Sequence, residues 1–380
     1  MKAPPTCAGW RAVVPALVCD RVMARTTIAV LVWLRFGHPV ATRGRVSKVT
    51  EFVQGGSLSR VKVFFTVDVE VWPGGWSNID ARFPEAFRHY IYGDTAYGQY
   101  GLPLKLRVLR DNGLKGVFFV EPLFSFRFGL QPLQEIVGLI TEGGQEVQLH
   151  LHAEWVNESR TPLLSWVPDR KIQHISHFAL KDQTVLVERA KQRLAEAGAA
   201  PATVFRAGSF AFNADTLRAL EANGVLVDSS YNHYFGGPTS GIWHSPDRVP
   251  VAPFEFGRVL EVPVTVYRDF PFHVRPLQLK GCSLSELTTV MQRAADDGHG
   301  SIVIVSHSFE LLDRRDFSRD EIVAQRFFGL CEFLARNSDT FETCFLGDDP
   351  PASVSVQPSA VAGSATGLAV RYIEQFRRRL

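Results

Sequence analysis

The feature that most constrains the fold is a recurrence of short apolar runs that each end on a charged or imidazole side chain. Val61–Val67 (VKVFFTV) leads into Asp68-Val69-Glu70, and Glu146–Leu149 leads into His150-Leu151-His152-Ala153-Glu154. Thr203–Phe205 leads into Arg206, and Ser301–Ser306 into His307. Runs of four to six β-branched and aromatic residues bounded by Gly or by helical patterns read as buried parallel strands. The spacing predicts strands at 62–67, 117–120, 146–150, 203–206, 225–228, 259–264 and 302–306. Helical patterns lie between them near 102–111, 132–142, 178–197, 213–222, 285–297 and 319–336. Asn213 is a candidate cap for one helix, and Ser283 or Ser285 for another.

Alternation of strand and helix implies parallel strands joined by right-handed crossovers. Seven strands over this span fit an α/β fold of the (β/α) barrel type. An open doubly wound sheet is the alternative, and the absence of a Gly-rich phosphate loop after the first strand weighs against it. In a barrel of this kind, polar residues at the C-terminal strand ends share one rim, where active sites form.

The 380 residues suffice for one large α/β domain. We expect a poorly patterned extension over 1–60, a catalytic domain over 61–346 and a flexible tail over 347–380. The ordered pattern begins abruptly at Val61, so the upstream residues are read as an over-extended translation start. The tail is rich in Pro, Ser, Ala and Gly, with a short amphipathic stretch at Leu368–Leu380. A formal net charge of +2 gives no pull towards nucleic acid. Five cysteines without C-x-x-C spacing make neither a disulfide framework nor a thiolate metal site. No stretch is long and apolar enough to span a bilayer, and Ile28–Leu34 is a poor signal peptide. A cytoplasmic location is expected, with the periplasm as the alternative.

The rim residues carry the chemistry. Asp68 and Glu70 stand at i and i+2, on one face of a strand. Two such carboxylates repel unless a cation neutralises them, which suggests Asp68 as a base and Glu70 as a metal ligand. His150 and His152 share a face by the same rule, with Glu154 following if the strand stays extended. An H-x-H pair with a carboxylate suits zinc or a related divalent ion and leaves a position open. Arg206 can pair with the base carboxylate and orient it. His307 is a candidate general acid. Taken singly, each has an ordinary structural explanation: a helix cap, a core imidazole or an ion pair closing the barrel. Aromatic residues crowd the connections 70–100, 154–177 and 229–258, among them Trp72, Trp76, Trp155, Trp243 and His244. Such rings can stack on sugar faces or cap the barrel core.

These residues, in this order, resemble the polysaccharide deacetylase family, also called the NodB-homology or carbohydrate esterase 4 group. The likeness covers roughly residues 62–345. Phe65-Thr66-Val67-Asp68-Val69-Glu70 is similar to the family's first motif, and Gly144–His150 to the approach to its metal-histidine motif. Phe205-Arg206 is similar to its third motif and Ser306-His307-Ser308 to its last. Gly113–Val120 resembles the family's second strand. The resemblance implies a distorted (β/α)7 barrel, a divalent metal, usually zinc, and hydrolysis of an N-acetyl group on a hexosamine of a polysaccharide or its precursor. It implies Asp68 as general base, His307 as general acid, His150 as metal ligand and Arg206 as the residue positioning Asp68. Two departures matter. The family's adjacent aspartates are here separated by Val69, and its second histidine position is here Glu154, so His152 or Glu154 supplies the third ligand. A metal hydrolase of a non-sugar amide and a non-catalytic carbohydrate-binding protein are the rival readings.

Overall fold

The computed structural model describes residues 60–235, 250–270 and 273–378. The expected 1–60 extension falls outside these residues apart from Arg60, as do Trp243 and His244 of the 229–258 connection.

All seven expected strands form: β1 (Val61–Val69), β2 (Gly116–Val120), β3 (Glu146–Leu151), β4 (Val204–Ala207), β5 (Val227–Asp228), β7 (Val259–Glu261) and β10 (Ser301–His307). They run parallel in the order β10-β1-β2-β3-β4-β5-β7. A short antiparallel strand β6 (Phe254–Phe256) edges β7, and β11 (Phe341–Thr343) pairs with the lower half of β1. The expected helices form as α2 (Leu102–Asp111), α3 (Gln131–Glu142), α4 (Leu180–Glu196), α5 (Ala214–Ala222), α6 (Leu284–Asp296) and α7 (Glu321–Arg336). Asn213 and Ser283, rather than Ser285, cap α5 and α6, each in a reciprocal box with Thr216 and Glu286.

The sheet curls into a distorted barrel whose seam, between β7 and β10, is closed by irregular chain. Beyond Glu261 the backbone still follows β5, with Val262 N–H donating to Asp228 (2.7 Å). Thr265 then reaches β10, donating to the Val303 carbonyl at 3.3 Å and accepting from Val303 N–H on its hydroxyl at 2.8 Å. A hairpin of β8 (Val266–Phe270) and β9 (His273–Pro276) follows, after which Leu277 and Leu279 bond Val305. Pro263 and the hairpin prevent a regular eighth pairing here.

Alternation sorts the strand residues. Val63, Phe65 and Val67 pack outward under the helices, while Phe64 joins Val117, Phe119, Val204, Val227, Val262 and Val303 inside the barrel. Cys344 and Leu346 close this inner cluster from the N-terminal end. The same parity carries Thr66 and Asp68 on β1 with Glu70 just past it, His150 on β3 with His152 just past it, and Arg206 on β4 above that apolar layer.

The C-terminal residues correct the expectation of a flexible tail. Strand β12 (Val361–Ala362) pairs with β8, and helix α8 (Ala365–Arg377) packs on α6. Charge holds this helix where apolar composition would not. Arg371 is 1% exposed and bonds Asp269 at 2.7 Å and Glu286 at 3.0 Å. Glu374 meets Arg326 and Arg378 meets Asp320. The connection 70–100 also carries more structure than expected, including α1 (Ile79–Phe87). Among the described residues no helix is long and apolar enough to cross a membrane. Removing one member of a buried ion pair strands its partner's charge. Arg371→Ala is therefore expected to lower the unfolding free energy by about 3–5 kcal/mol, measured by urea denaturation.

Candidate active site and metal centre

Asp68, Glu70, His150, His152, Glu154, Arg206 and His307 converge at the C-terminal rim of the barrel. All but the fully buried Arg206 line one cleft of about 270 Å³, together with Trp72, Phe210, Phe309 and Arg314.

Arg206 anchors the base side. Its guanidinium has no solvent exposure and lies over the Phe119 ring at 4.2 Å. Nη1 donates to Asp68 Oδ1 at 2.9 Å and to the Thr66 hydroxyl at 2.7 Å. Nε and Nη2 donate to the carbonyl and hydroxyl of Ser229, each at 3.0 Å. Asp68 therefore has one oxygen fixed, while Oδ2 faces His307 Nε2 at 4.0 Å. The register explains the meeting, since Asp68 is the parallel partner of His307.

His307 is held from behind by Glu310, whose Oε1 lies 3.0 Å from Nδ1. Burial alone would push this imidazole down, but the Glu310 hydrogen bond and the Glu310, Glu70 and Asp68 charges outweigh it, holding the pKa at about 9. Burial likewise works against the Glu310 carboxylate, and His307 more than reverses it, to about 2. Glu310 in turn accepts from Gln278, and the buried Lys105 stands near it while donating to Ser306.

Glu70, His150 and His152 form a buried triad whose ligand atoms all lie within 4.8 Å of one another. His152 Nε2 is 3.2 Å from Glu70 Oε2. His150 Nδ1 engages the Arg206 carbonyl at 2.8 Å, while its Nε2 is buried without a hydrogen-bond partner. Burial drives His150 towards the neutral form, with a pKa near 4. A neutral, partnerless imidazole nitrogen beside a carboxylate and a second imidazole is the donor set a divalent cation takes. Burial opposes charge on His152, yet Glu70 and Glu154 raise its pKa well above the usual value, so the triad attracts positive charge. The residues present thus fit a metal ion.

Glu154 corrects one expectation. It stands outside the triad, behind His152, with Oε2 3.3 Å from Nδ1. The chain leaves β3 after Leu151 and turns through a short 3-10 helix, Ala153–Glu158, so the i, i+2 alternation does not reach Glu154. A carboxylate on the far nitrogen fixes a ligating histidine's tautomer and orientation. The opposite face of His152 lies against Gly208, where an added Cβ would fall 2.6 Å from Nδ1. The next two residues, Ser209 and Phe210, both take left-handed backbone (φ 56° and 55°), a strained arrangement at the lip of the cleft.

Sequence reading missed several residues around the cleft. Glu310 had the signal of a His-x-x-Glu spacing, whereas Trp72, expected to stack on a sugar or cap the core, bonds Glu70 through its indole N–H. Glu121 ends β2 by the same rule that selected the others. It is buried, accepts from Leu123 and Phe124 N–H, and is pushed up by burial to about 8. Thr66 had no signal, because a hydroxyl inside an apolar run looks like an ordinary strand residue, and Ser229 lies in a polar Asp-Ser-Ser stretch that reads as a turn. The expected aromatic loops divide: Trp72, Trp76 and Trp155 pack on one another, while Tyr97 is exposed.

Asp228 and Glu261 end β5 and β7, face each other in register and are fully buried. Asp228 accepts from the Ser230 hydroxyl at 2.6 Å and Glu261 from Tyr231 N–H at 2.9 Å. Burial raises the pKa of both, Glu261 well above its usual range with the Asp228 charge adding to the effect. Two facing buried carboxylates cannot both stay ionised, so the pair favours holding one proton between them.

Two predictions follow from this geometry. Gly208→Ala should displace the His152 ring and weaken zinc affinity by about 10–100-fold, read by calorimetric titration. The proton on the Asp228–Glu261 pair is one that the unfolded chain releases above the ordinary carboxylate range. Wild-type stability should therefore fall as pH rises above that range, by up to about 1.4 kcal/mol per unit. Asp228→Asn supplies a permanent donor, so the decline above the ordinary carboxylate range should flatten in urea denaturation.

No protein-family model matches the chain, and no curated protein sequence does. Solved structures do. A Mycobacterium smegmatis protein assigned as a polysaccharide deacetylase is 16% identical with a TM-score of 0.49, covering 81% of this chain and 97% of its own. A family 4 carbohydrate esterase from Streptomyces lividans is 14% identical with a TM-score of 0.38, covering 80% and 100%. A CE4 family pseudoenzyme from Bacillus anthracis is 11% identical with a TM-score of 0.38, covering 77% and 67%. At these identities no residue's role carries across. The chain is similar to polysaccharide deacetylases and family 4 carbohydrate esterases of known structure.

Proposed function

We propose that the chain is a metal-dependent hydrolase that removes N-acetyl groups from amino sugars of a polysaccharide or its precursor. The observation that carries this reading is the juxtaposition, in one cleft, of a buried Glu70–His150–His152 triad with an oriented carboxylate and a protonated imidazole. The motif order along the sequence supports the amino-sugar substrate class. A nucleotide-linked or lipid-linked precursor in the cytoplasm is the form of substrate we favour.

Glu70, His150 and His152 would hold the ion, which we take to be zinc. When bound, it supplies Lewis acidity that polarises the acetamide and favours ionisation of water. The remaining work belongs to the chain. Asp68 Oδ1 is locked to Arg206, leaving Oδ2 to take the proton of the attacking water. Arg206 fixes the plane of the Asp68 carboxylate. His307 carries a proton on Nε2, facing the cleft 3.5 Å from Glu70 Oε1, because Glu310 engages Nδ1. It gives that proton to the departing amine, so acid and base meet the substrate from adjacent strands.

The test is metal content by mass spectrometry, beside acetate release from N-acetylglucosamine oligomers. Wild type should hold about one divalent ion per chain and His150→Ala none. Asp68→Asn should keep the ion while losing about 10²–10⁴-fold in kcat. A wild-type chain that binds no ion after supply of zinc, cobalt and nickel overturns the reading. A chain that binds the ion yet releases no acetate overturns the amino-sugar assignment.

A further inference from the structure

We infer that Trp72 is a positioning residue of the metal centre, its indole N–H selecting the oxygen through which Glu70 meets the ion. The inference rests on the metal-hydrolase reading above. Trp72 lies two residues beyond Glu70, where the chain has left β1. Its Nε1–H donates to Glu70 Oε2, the oxygen that also faces His152 Nε2. The same ring meets the His152 imidazole edge-on, with centroids 4.7 Å apart and planes at 89°. One side chain thus touches two of the three candidate ligands, which come from different strands.

The ring is itself immobilised. Trp76 stands against it at 5.9 Å and 84°, and Trp155 lies near-parallel at 6.3 Å and 23°. Trp155 is 1% exposed, and Lys171 Nζ caps Trp76 at 3.7 Å from its centroid. The His152 ring thus packs against both the indole and Gly208. A carboxylate can bind a cation through one oxygen or both, and a donor fixed on one oxygen restricts that choice. Glu70 Oε1 is left towards His307, so the carboxylate plane is set by one group on each side. Groups that hold metal ligands from behind commonly change affinity by about 10–100-fold when removed.

The experiment compares zinc and cobalt titrations of full-length wild type, Trp72→Phe and Trp76→Phe by calorimetry. Phenylalanine keeps an aromatic edge against His152 and removes the N–H. We expect Trp72→Phe to bind zinc about 10–100-fold more weakly, and Trp76→Phe, which keeps a ring against the indole and the N–H on Glu70, to lose clearly less. The visible spectrum of the cobalt-loaded protein should weaken in Trp72→Phe, as Glu70 becomes free to use both oxygens. Wild-type affinity and an unchanged cobalt spectrum in a folded Trp72→Phe overturn this inference and leave the metal reading standing. A wild type that binds no ion overturns both. Should Trp72→Phe fail to fold, the wild-type indole N–H resonances carry the test. One slowly exchanging signal, retained in Trp76→Phe, should shift on zinc addition, and its failure to move overturns the inference.

Discussion

The buried guanidinium of Arg206 is the interaction on which the rest of the site depends. A charge without solvent exposure is tolerated only where its donors are met and an opposite charge lies beside it. Here Thr66 and Asp68 on β1 meet it from one side, and Ser229, just past β5, from the other. Its own carbonyl receives His150. One side chain therefore spans the barrel, fixes the base and helps to aim a ligand. An uncharged replacement would free Asp68 to turn and would leave its charge unbalanced above an apolar layer.

Around that centre the site repeats one device. Each working group is gripped on its far side by a partner, which leaves the near atom for the cleft. Arg206 grips Asp68, Glu310 grips His307, Glu154 grips His152, and the Arg206 carbonyl grips His150. Opposite charges in a desolvated rim interact strongly, so the pKa values of neighbouring groups are driven apart. Glu310 is held near 2 while His307, its neighbour, is held near 9. That separation keeps His307 protonated beside an ionised Glu310, so the acid is ready in the cleft.

Much of the fold was legible because buried parallel strands write themselves as apolar runs, and the register of β1 and β10 then brings Asp68 to His307 without further information. The candidate site was legible for the same reason, since polar residues closing such runs stand out. Glu154 was misjudged because the sequence does not mark where β3 stops and the turn begins. The docking of the C-terminal helix was not legible, because a tail rich in Pro, Ser, Ala and Gly reads as solvated. Arg371 is buried through its pairing with Asp269 and Glu286, residues about a hundred positions away, and a pairing at that distance leaves no local pattern. The irregular seam from Val262 to Leu279 was only partly visible, through Pro263 and the breaks around the hairpin.

Strand order along the chain also dictates when the site comes into being. β10 pairs with β1 although 238 positions separate Thr66 from the Ile304 carbonyl it bonds. As synthesis proceeds from the N-terminus, Glu70, His150 and His152 emerge well before His307 and Glu310. Domains form as units once their segments are available. A nascent chain can therefore carry all three candidate ligands for an ion while lacking its proton donor, and only the arrival of β10 both closes the barrel and completes the acid–base pair. Structural completion and chemical competence are thus the same event.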